Sequence, residues 1–177
     1  MQYSESFLAF PNITSFHFHC FYIVPPVHDD DLARFGTTWP RLESFRVSHL
    51  VGEYALPNVA RPTLSGIIEL AQRCPRLDMF HIPELDVTTI PNKDAVPCTG
   101  HGARYFTIKT VMPDALPPKT DMEIATVLDR VFPDIDLEYA RSVCAFDGRE
   151  WKDILQLLEA MRVGRENSEL RARLRGG

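Results

Sequence analysis

The chain has 177 residues, of which 45% are apolar, and a formal net charge of -5 at pH 7. These values predict one globular domain with a sizeable core, and they argue against disorder and against general nucleic-acid binding, which favours a basic field. The sequence has no run of about 18 apolar residues and no secretory leader at its start, so we expect no membrane partner.

The strongest pattern is a frame that recurs along the chain: a proline, then apolar residues two, five and seven positions later. Copies begin at Pro11, Pro40 and Pro75, and a fourth copy in ARYFTIK lacks the proline. The apolar positions are Ile13, Phe16, Phe18; Leu42, Phe45, Val47; Leu77, Phe80, Ile82; and Ala103, Phe106, Ile108. Internal similarity at a period of about 20 to 50 residues predicts a solenoid or a related array.

The last two apolar residues of each copy are two positions apart, which is the period of a β-strand, so both point to one face of a sheet. Helical periodicity occurs between the copies, in DDDLARF, in PTLSGIIELAQRC and in TDMEIATVLDRVF. The predicted buried faces of the last two helices comprise Leu64, Ile67, Ile68, Ala71, Ile124, Val127, Leu128 and Val131. Because proline cannot continue a helix, the predicted unit is helix, proline, short strand and loop.

The remaining elements are predicted by shorter signals. Thr120 and Glu123 have the spacing of a capping box and predict a helix start. In FPDIDLEYA, the alternation of Ile135, Leu137 and Tyr139 predicts a fifth strand. The helical stripe of the C-terminal segment predicts a helix that covers the last strand, and it contains Trp151, Ile154, Leu155, Leu158 and Met161.

Stacking of these units predicts an α/β leucine-rich-repeat solenoid, with short parallel strands on the concave face, helices on the convex face and a C-terminal capping helix. We expect a leucine-rich-repeat-like domain over residues 1–163. A charged C-terminal tail, partly helical or disordered, is expected over residues 164–177. The alternative is an ordinary α/β domain in which the strands follow prolines by chance.

Four longer segments carry a family resemblance: WPRLESFRV, RPTLSGIIELAQRCPRLDMFHI, IATVLDRVFPDI and EWKDILQLLEAMRVGRENSEL. From about Trp39 onward the chain resembles the C-terminal leucine-rich-repeat region of F-box-like proteins, in the style expanded in mushroom-forming fungi. The resemblance implies repeats that recruit substrates and an F-box that docks a ubiquitin-ligase scaffold. The first repeat starts by Phe10, so no F-box is evident, and the scaffold is an expected partner only if an F-box lies upstream.

The residues between the apolar positions are expected to form the open, concave face of the sheet. The predicted protein-binding residues on this face are His17, His19, Arg46, Ser48, His81, Tyr105, Thr107 and Lys109. Arg and Tyr are frequent interface anchors, and Arg binds a carboxylate or a phosphate with two hydrogen bonds. The predicted partner is therefore a protein segment that carries acidic residues or phosphate.

The sequence predicts no catalytic residue, no metal and no cofactor, because it lacks a nucleophile elbow, a P-loop and a dinucleotide fingerprint. The four cysteines are far apart and no secretory signal precedes them, so we expect reduced thiols in a cytoplasmic or nuclear protein. The alternative function is a small metal-dependent enzyme whose ligands come from His17, His19 and Asp29–Asp31. The motif CTGH adds Cys98 and His101 as weaker candidates.

Overall fold

The computed structural model describes residues 7–20, 26–49, 59–98, 101–112, 118–143 and 149–176. Within these residues the fold is mixed α/β, with a four-stranded parallel sheet that does not close. The strands are β1 (Ser15–Cys20), β2 (Ser44–His49), β3 (Met79–Asp86) and β4 (Tyr105–Met112). The helices are α1 (Asp29–Thr38), α2 (Leu64–Arg73), α3 (Pro118–Val131), α4 (Leu137–Val143) and α5 (Arg149–Gly176), and a short 3-10 helix spans Lys93–Ala95.

The strands lie side by side in chain order, and each strand pairs in parallel with the next one. Their register follows the repeating frame of the sequence, because the direct neighbours across the sheet are Phe16, Phe45, Phe80 and Phe106. The rings of neighbouring strands stack with centroid distances of 5.6, 5.6 and 5.3 Å. The prediction that segments 45–47 and 80–82 are parallel neighbours is confirmed.

One face of the sheet is the core, as the frame predicts. The buried residues of the predicted ladder are Phe16, Phe45, Val47, Phe80, Ile82, Phe106 and Ile108. The prediction of a buried Phe18 is wrong, because this side chain is only half-buried and packs against the edge of the core. Among the described strands β1 lies at an edge of the sheet, so Phe18 has a neighbouring strand on one side only.

The prolines of the frame form the turns that join helix to strand. Trp39 and Cys74 follow α1 and α2, and each donates its N–H to the carbonyl four residues earlier, at 2.7 and 2.9 Å. A proline comes next, and the N–H of Leu42 or Leu77 then closes a turn on the carbonyl of Trp39 or Cys74 at 3.0 Å. Proline suits this second position because its φ angle is already fixed at the value the turn needs.

The prediction of a fifth strand in FPDIDLEYA is wrong. The segment starts like the other repeats, since the N–H of Asp136 donates to the carbonyl of Arg104 at 2.8 Å. The Asp136 carboxylate then accepts the N–H of Tyr139 at 2.8 Å, which caps α4. Leu137 and Ala140 are the buried residues of this helix and lie three positions apart. An alternation of three residues was too short to separate the strand period from the helix period.

The predicted apolar faces of α2 and α3 are confirmed, since all eight of their residues are buried. Thr63 caps α2, because its hydroxyl accepts the N–H groups of Ser65 and Gly66. The predicted capping box of α3 is wrong, because the helix already begins at Pro118 and Thr120 therefore lies inside it.

The C-terminal helix α5 covers the end of the sheet as predicted. The residues of its stripe that are buried are Trp151, Ile154, Leu155 and Leu158, while Met161 is partly buried. The Trp151 ring lies 6.3 Å from that of Phe106 on β4. The helix continues to Gly176, so the segment predicted as a charged tail is helical over residues 164–176. None of the described helices is long and apolar enough to cross a membrane.

Candidate functional site

The second face of the sheet carries a row of residues that the register brings together. His17, Arg46, His81 and Thr107 are direct neighbours on the four strands, as the repeat alignment predicts. Because neighbouring strands are about 4.8 Å apart, the two histidines flank Arg46 on either side. His17 and Arg46 are exposed, and His81 is half-buried.

The predicted histidines are held by hydroxyl groups of the adjacent strand. The pairs are His17 Nε2 with Ser44 Oγ at 2.8 Å, His19 Nδ1 with Ser48 Oγ at 2.7 Å, and His81 Nδ1 with Thr107 Oγ1. Ser15 Oγ lies a further 3.3 Å from the His17 ring nitrogen. These cross-strand bonds orient the imidazoles before any ligand arrives, which reduces the entropy that binding would cost.

Arg46 differs in its surroundings from the described arginines that form ion pairs. Ion pairs with acidic side chains occupy Arg73, Arg76, Arg104, Arg141 and Arg165. In the described part of the chain, the Arg46 guanidinium has no ion pair and no side-chain hydrogen bond. It is therefore an exposed cation whose hydrogen-bond donors are available to an anion on the open face.

The far side of the open face is less accessible than predicted. Tyr105 is half-buried, and its ring meets that of Tyr139 edge to face at 4.9 Å. The prediction of an exposed Thr107 is wrong, since this residue is 1% exposed and its hydroxyl is bonded to His81. The backbone of Lys109 lies in β4, but its side chain is outside the part of the chain that the structure describes. Among the side chains that the structure describes, the open part of the face is therefore formed by β1, β2 and His81 of β3.

The acidic residues of the alternative metal site have structural partners. The Asp29 carboxylate accepts the N–H of Thr63 at 2.8 Å and the hydroxyl of Thr63 at 2.7 Å. It lies so close to α2 that a Cβ at Gly66 would be 2.2 Å from Asp29 Oδ1. Asp31 is buried and its carboxylate accepts the N–H of His28 at 3.0 Å. Both carboxylates thus stabilise helix starts.

Asp29–Asp31 begin α1, whereas His17 and His19 lie on the open face of β1, so the structure does not bring the proposed ligands together as one group. No cluster of three or more His, Cys, Asp or Glu side chains that could hold a metal occurs among the described residues. Cys98 is exposed on a loop, and His101 is buried elsewhere, as described next.

His101 has a structural role that sequence reasoning missed. Its Nε2 donates to the carbonyl of Cys74 at 3.0 Å, and its Nδ1 accepts the N–H of Ala103 at 3.1 Å. The His101 ring therefore accepts the N–H of Ala103, whereas the N–H of the corresponding leucine in the second and third copies bonds a backbone carbonyl. The same ring also connects this turn to the turn after α2. The available signal was its position, because His101 stands two residues before Ala103, where the frame has its proline.

The cysteines are expected to differ strongly in reactivity towards an aromatic disulfide reagent. Burial raises the pKa of the Cys74 thiol to about 11, against the opposing effect of the Arg73 charge, and the thiol donates to the carbonyl of Trp39. Burial also raises the pKa of half-buried Cys20. Since the thiolate is the attacking species, exposed Cys98 should react first and Cys74 only on unfolding.

The measurement is the time course of thiol modification in a Cys144→Ser variant, because Cys144 lies outside the described residues. A Cys98→Ser control should lose the fast phase. Modification of Cys74 as fast as Cys98 in the folded protein would contradict the described packing of the turn after α2.

A buried ion pair at the end of β3 was also missed. Arg61 Nε bonds the Glu84 carboxylate, and Arg61 Nη1 donates to the carbonyl of Val59 at 2.9 Å. The two side chains are only 10% and 8% exposed. They join the segment before α2 to β3, whose Asp86 N–H donates to the carbonyl of Pro62 at 2.9 Å. Isolated charged residues carry no periodicity, so no sequence pattern predicts this pair.

No protein-family model matches the chain, and no curated protein and no solved structure matches it. The functional interpretation therefore rests on the geometry of the open face.

Proposed function

We propose that the chain is a non-catalytic protein-interaction module of the leucine-rich-repeat type, and that it binds a protein segment on the open face of its sheet. The observation that carries this proposal is the row of His17, Arg46 and His81, which lie side by side on three neighbouring strands. The row lies opposite the face that carries the buried phenylalanine ladder, so one face of the sheet forms the core and the other is open for contact.

The solenoid assignment is supported by the recurring unit itself. Each described strand follows its predecessor in parallel order, and the same proline turn precedes β2 and β3. A carbonyl just before each of β1, β2 and β3 accepts two N–H groups from the next repeat, as Glu43 does from Asp78 and Met79 at 2.9 and 3.0 Å. Such unit-to-unit bonding is what stacking of repeats requires.

The chemistry of the row favours an anionic ligand. The Arg46 guanidinium offers donors in a fork that matches a carboxylate or a phosphate, and the Nδ1 atom of the neighbouring His17 imidazole can bond a further oxygen. A partner segment that carries Asp, Glu or phosphoserine fits this arrangement. By the resemblance to F-box-like proteins, the segment would belong to a substrate of a ubiquitin-ligase adaptor, and an F-box upstream would be needed to contact the scaffold.

The double variant Arg46→Ala/His81→Ala is expected to lose the partner that the wild type retains in pull-downs from cytoplasmic or nuclear extract. Removing a central Arg from an interface commonly weakens binding by about tenfold or more. The extract is divided, and one half is treated with phosphatase. Loss of recovery after that treatment would assign the anion as phosphate, whereas unchanged recovery would assign it as carboxylate.

Arg41→Ala is the matched control. Arg41 is exposed in the turn before β2, so this substitution removes the same charge at a position outside the row. Circular dichroism establishes that the variants are folded. Equal recovery of every partner by the wild type and the folded double variant would contradict the assignment of this row as the binding site.

A further inference from the structure

The outer part of α5 extends beyond the body of the fold. Docking ends at Arg165, whose guanidinium bonds the Asp129 carboxylate and donates to the carbonyl of Pro133 at 3.3 Å. Every residue over 166–175 is exposed. At 1.5 Å per residue, this extension is about 15 Å long. Packing against the described body of the chain does not explain the pattern of these exposed residues, so the pattern is informative.

A second apolar stripe runs along this extension, on a different face from the buried one. We define the outer stripe as Ala160, Val163, Asn167, Leu170 and Leu174. Its spacing alternates between three and four residues, which is the a/d pattern of a heptad repeat. Its large apolar members are among the most exposed of the described chain, with Val163 at 49%, Leu170 at 55% and Leu174 at 75%.

We propose that the outer stripe is the interface of a parallel, two-stranded coiled coil with a second copy of the chain. The proposal is independent of the proposed function. In the heptad, Asn167 takes an a position between Val163 and Leu170, which take d positions. A parallel pair places each Asn167 beside Asn167 of the partner subunit, where the two amides can bond to each other. An antiparallel pair would bury each amide against a leucine, which costs free energy.

The charges beside the stripe agree with the same arrangement. Glu166 takes the g position and Arg171 takes the e position of the following heptad. In a parallel coiled coil these positions face each other across the interface, so each dimer gains two opposite-charge pairs. The preceding g residue, Glu159, would face the neutral Gly164 and already pairs with Arg141 at 2.5 Å within the chain. The stripe covers about two heptads and therefore buries little apolar surface, so we expect a dimer that dissociates on dilution.

Sedimentation equilibrium of the full chain tests this proposal. The wild type should pass from monomer to dimer with increasing concentration, and Leu170→Ala/Leu174→Ala should weaken association by about tenfold or more. Met122→Ala is the matched control, because Met122 is 46% exposed on α3 and lies off the stripe. It should associate like the wild type. Because these leucines lie outside the core, the variants should keep the wild-type unfolding midpoint when both are measured at concentrations where the wild type is monomeric.

Charge reversal separates the two orientations. Glu166→Arg should weaken the dimer, and adding Arg171→Glu should restore it, because only a parallel pair brings these two positions together. A wild-type chain that stays monomeric at every concentration, or a leucine variant that associates as strongly as the wild type, would overturn the proposal. Failure of Arg171→Glu to restore association would overturn the parallel arrangement.

Discussion

Phe80→Ala is expected to lower the free energy of unfolding by about 3–5 kcal/mol, which is the usual result of truncating a fully buried phenylalanine. Phe80 is 0% exposed and stands in the middle of the ladder. Its ring stacks between Phe45 at 5.6 Å and Phe106 at 5.3 Å. Truncation therefore removes contacts to both neighbouring strands and leaves a cavity where the repeats are joined. This loss is comparable to the whole stability of many small domains, so the variant should be largely unfolded.

Urea denaturation followed by circular dichroism measures this effect. Arg46→Ala is the matched control, because Arg46 lies on the neighbouring strand but on the exposed face. The control should change the unfolding free energy by less than about 0.5 kcal/mol. A Phe80→Ala protein as stable as this control would show that the ladder does not hold the repeats together.

Arg61→Ala is expected to cost about 3–5 kcal/mol, because it removes the ion-pair partner of a carboxylate in a mostly buried site. Glu84 is 7% exposed, so its carboxylate cannot regain full hydration when the guanidinium is lost. The carbonyl of Val59 loses a donor in the same variant. The segment that leads into α2 should then detach from the end of β3.

A double-mutant cycle with Arg61→Met and Glu84→Leu measures this coupling by urea denaturation. The double variant should recover much of the stability lost by Arg61→Met alone, since well-packed apolar residues can replace a buried ion pair at little cost. Additive losses from the two single substitutions would contradict a direct interaction between these side chains.

The repeat frame predicted the sheet well because several signals coincide at each copy. In the second copy, Pro40 ends a helix, Leu42 enters the core, and Phe45 and Val47 share one strand face. All three constraints agree with the same unit, so the alignment also predicts the register. The same register predicted that His17, Arg46 and His81 are neighbours, and no additional sequence signal was needed for this prediction.

The errors lie where one copy departs from the frame or where tertiary packing decides the outcome. The segment after Phe132 has the aromatic-proline pair, but the cap from Asp136 converts the expected strand into α4. Thr107 follows the alternation and is nevertheless buried, because a neighbouring side chain and not the strand period controls its exposure. The pairing of Arg61 with Glu84 depends on how the chain approaches β3 from a distance, which no local pattern encodes.

Site-specific photo-crosslinking tests the central claim, binding on the open face of the sheet, most directly. A photoreactive phenylalanine analogue is placed at Ser15, which is exposed on the open face, or at Gln72, which is exposed on α2. Each protein is illuminated in cell extract, with the Arg46→Ala/His81→Ala variant in parallel. We predict a discrete crosslinked partner from position 15 that disappears in the double variant, and no equivalent product from position 72. A partner captured only from position 72, or one captured from position 15 equally well by the double variant, would contradict binding at this row.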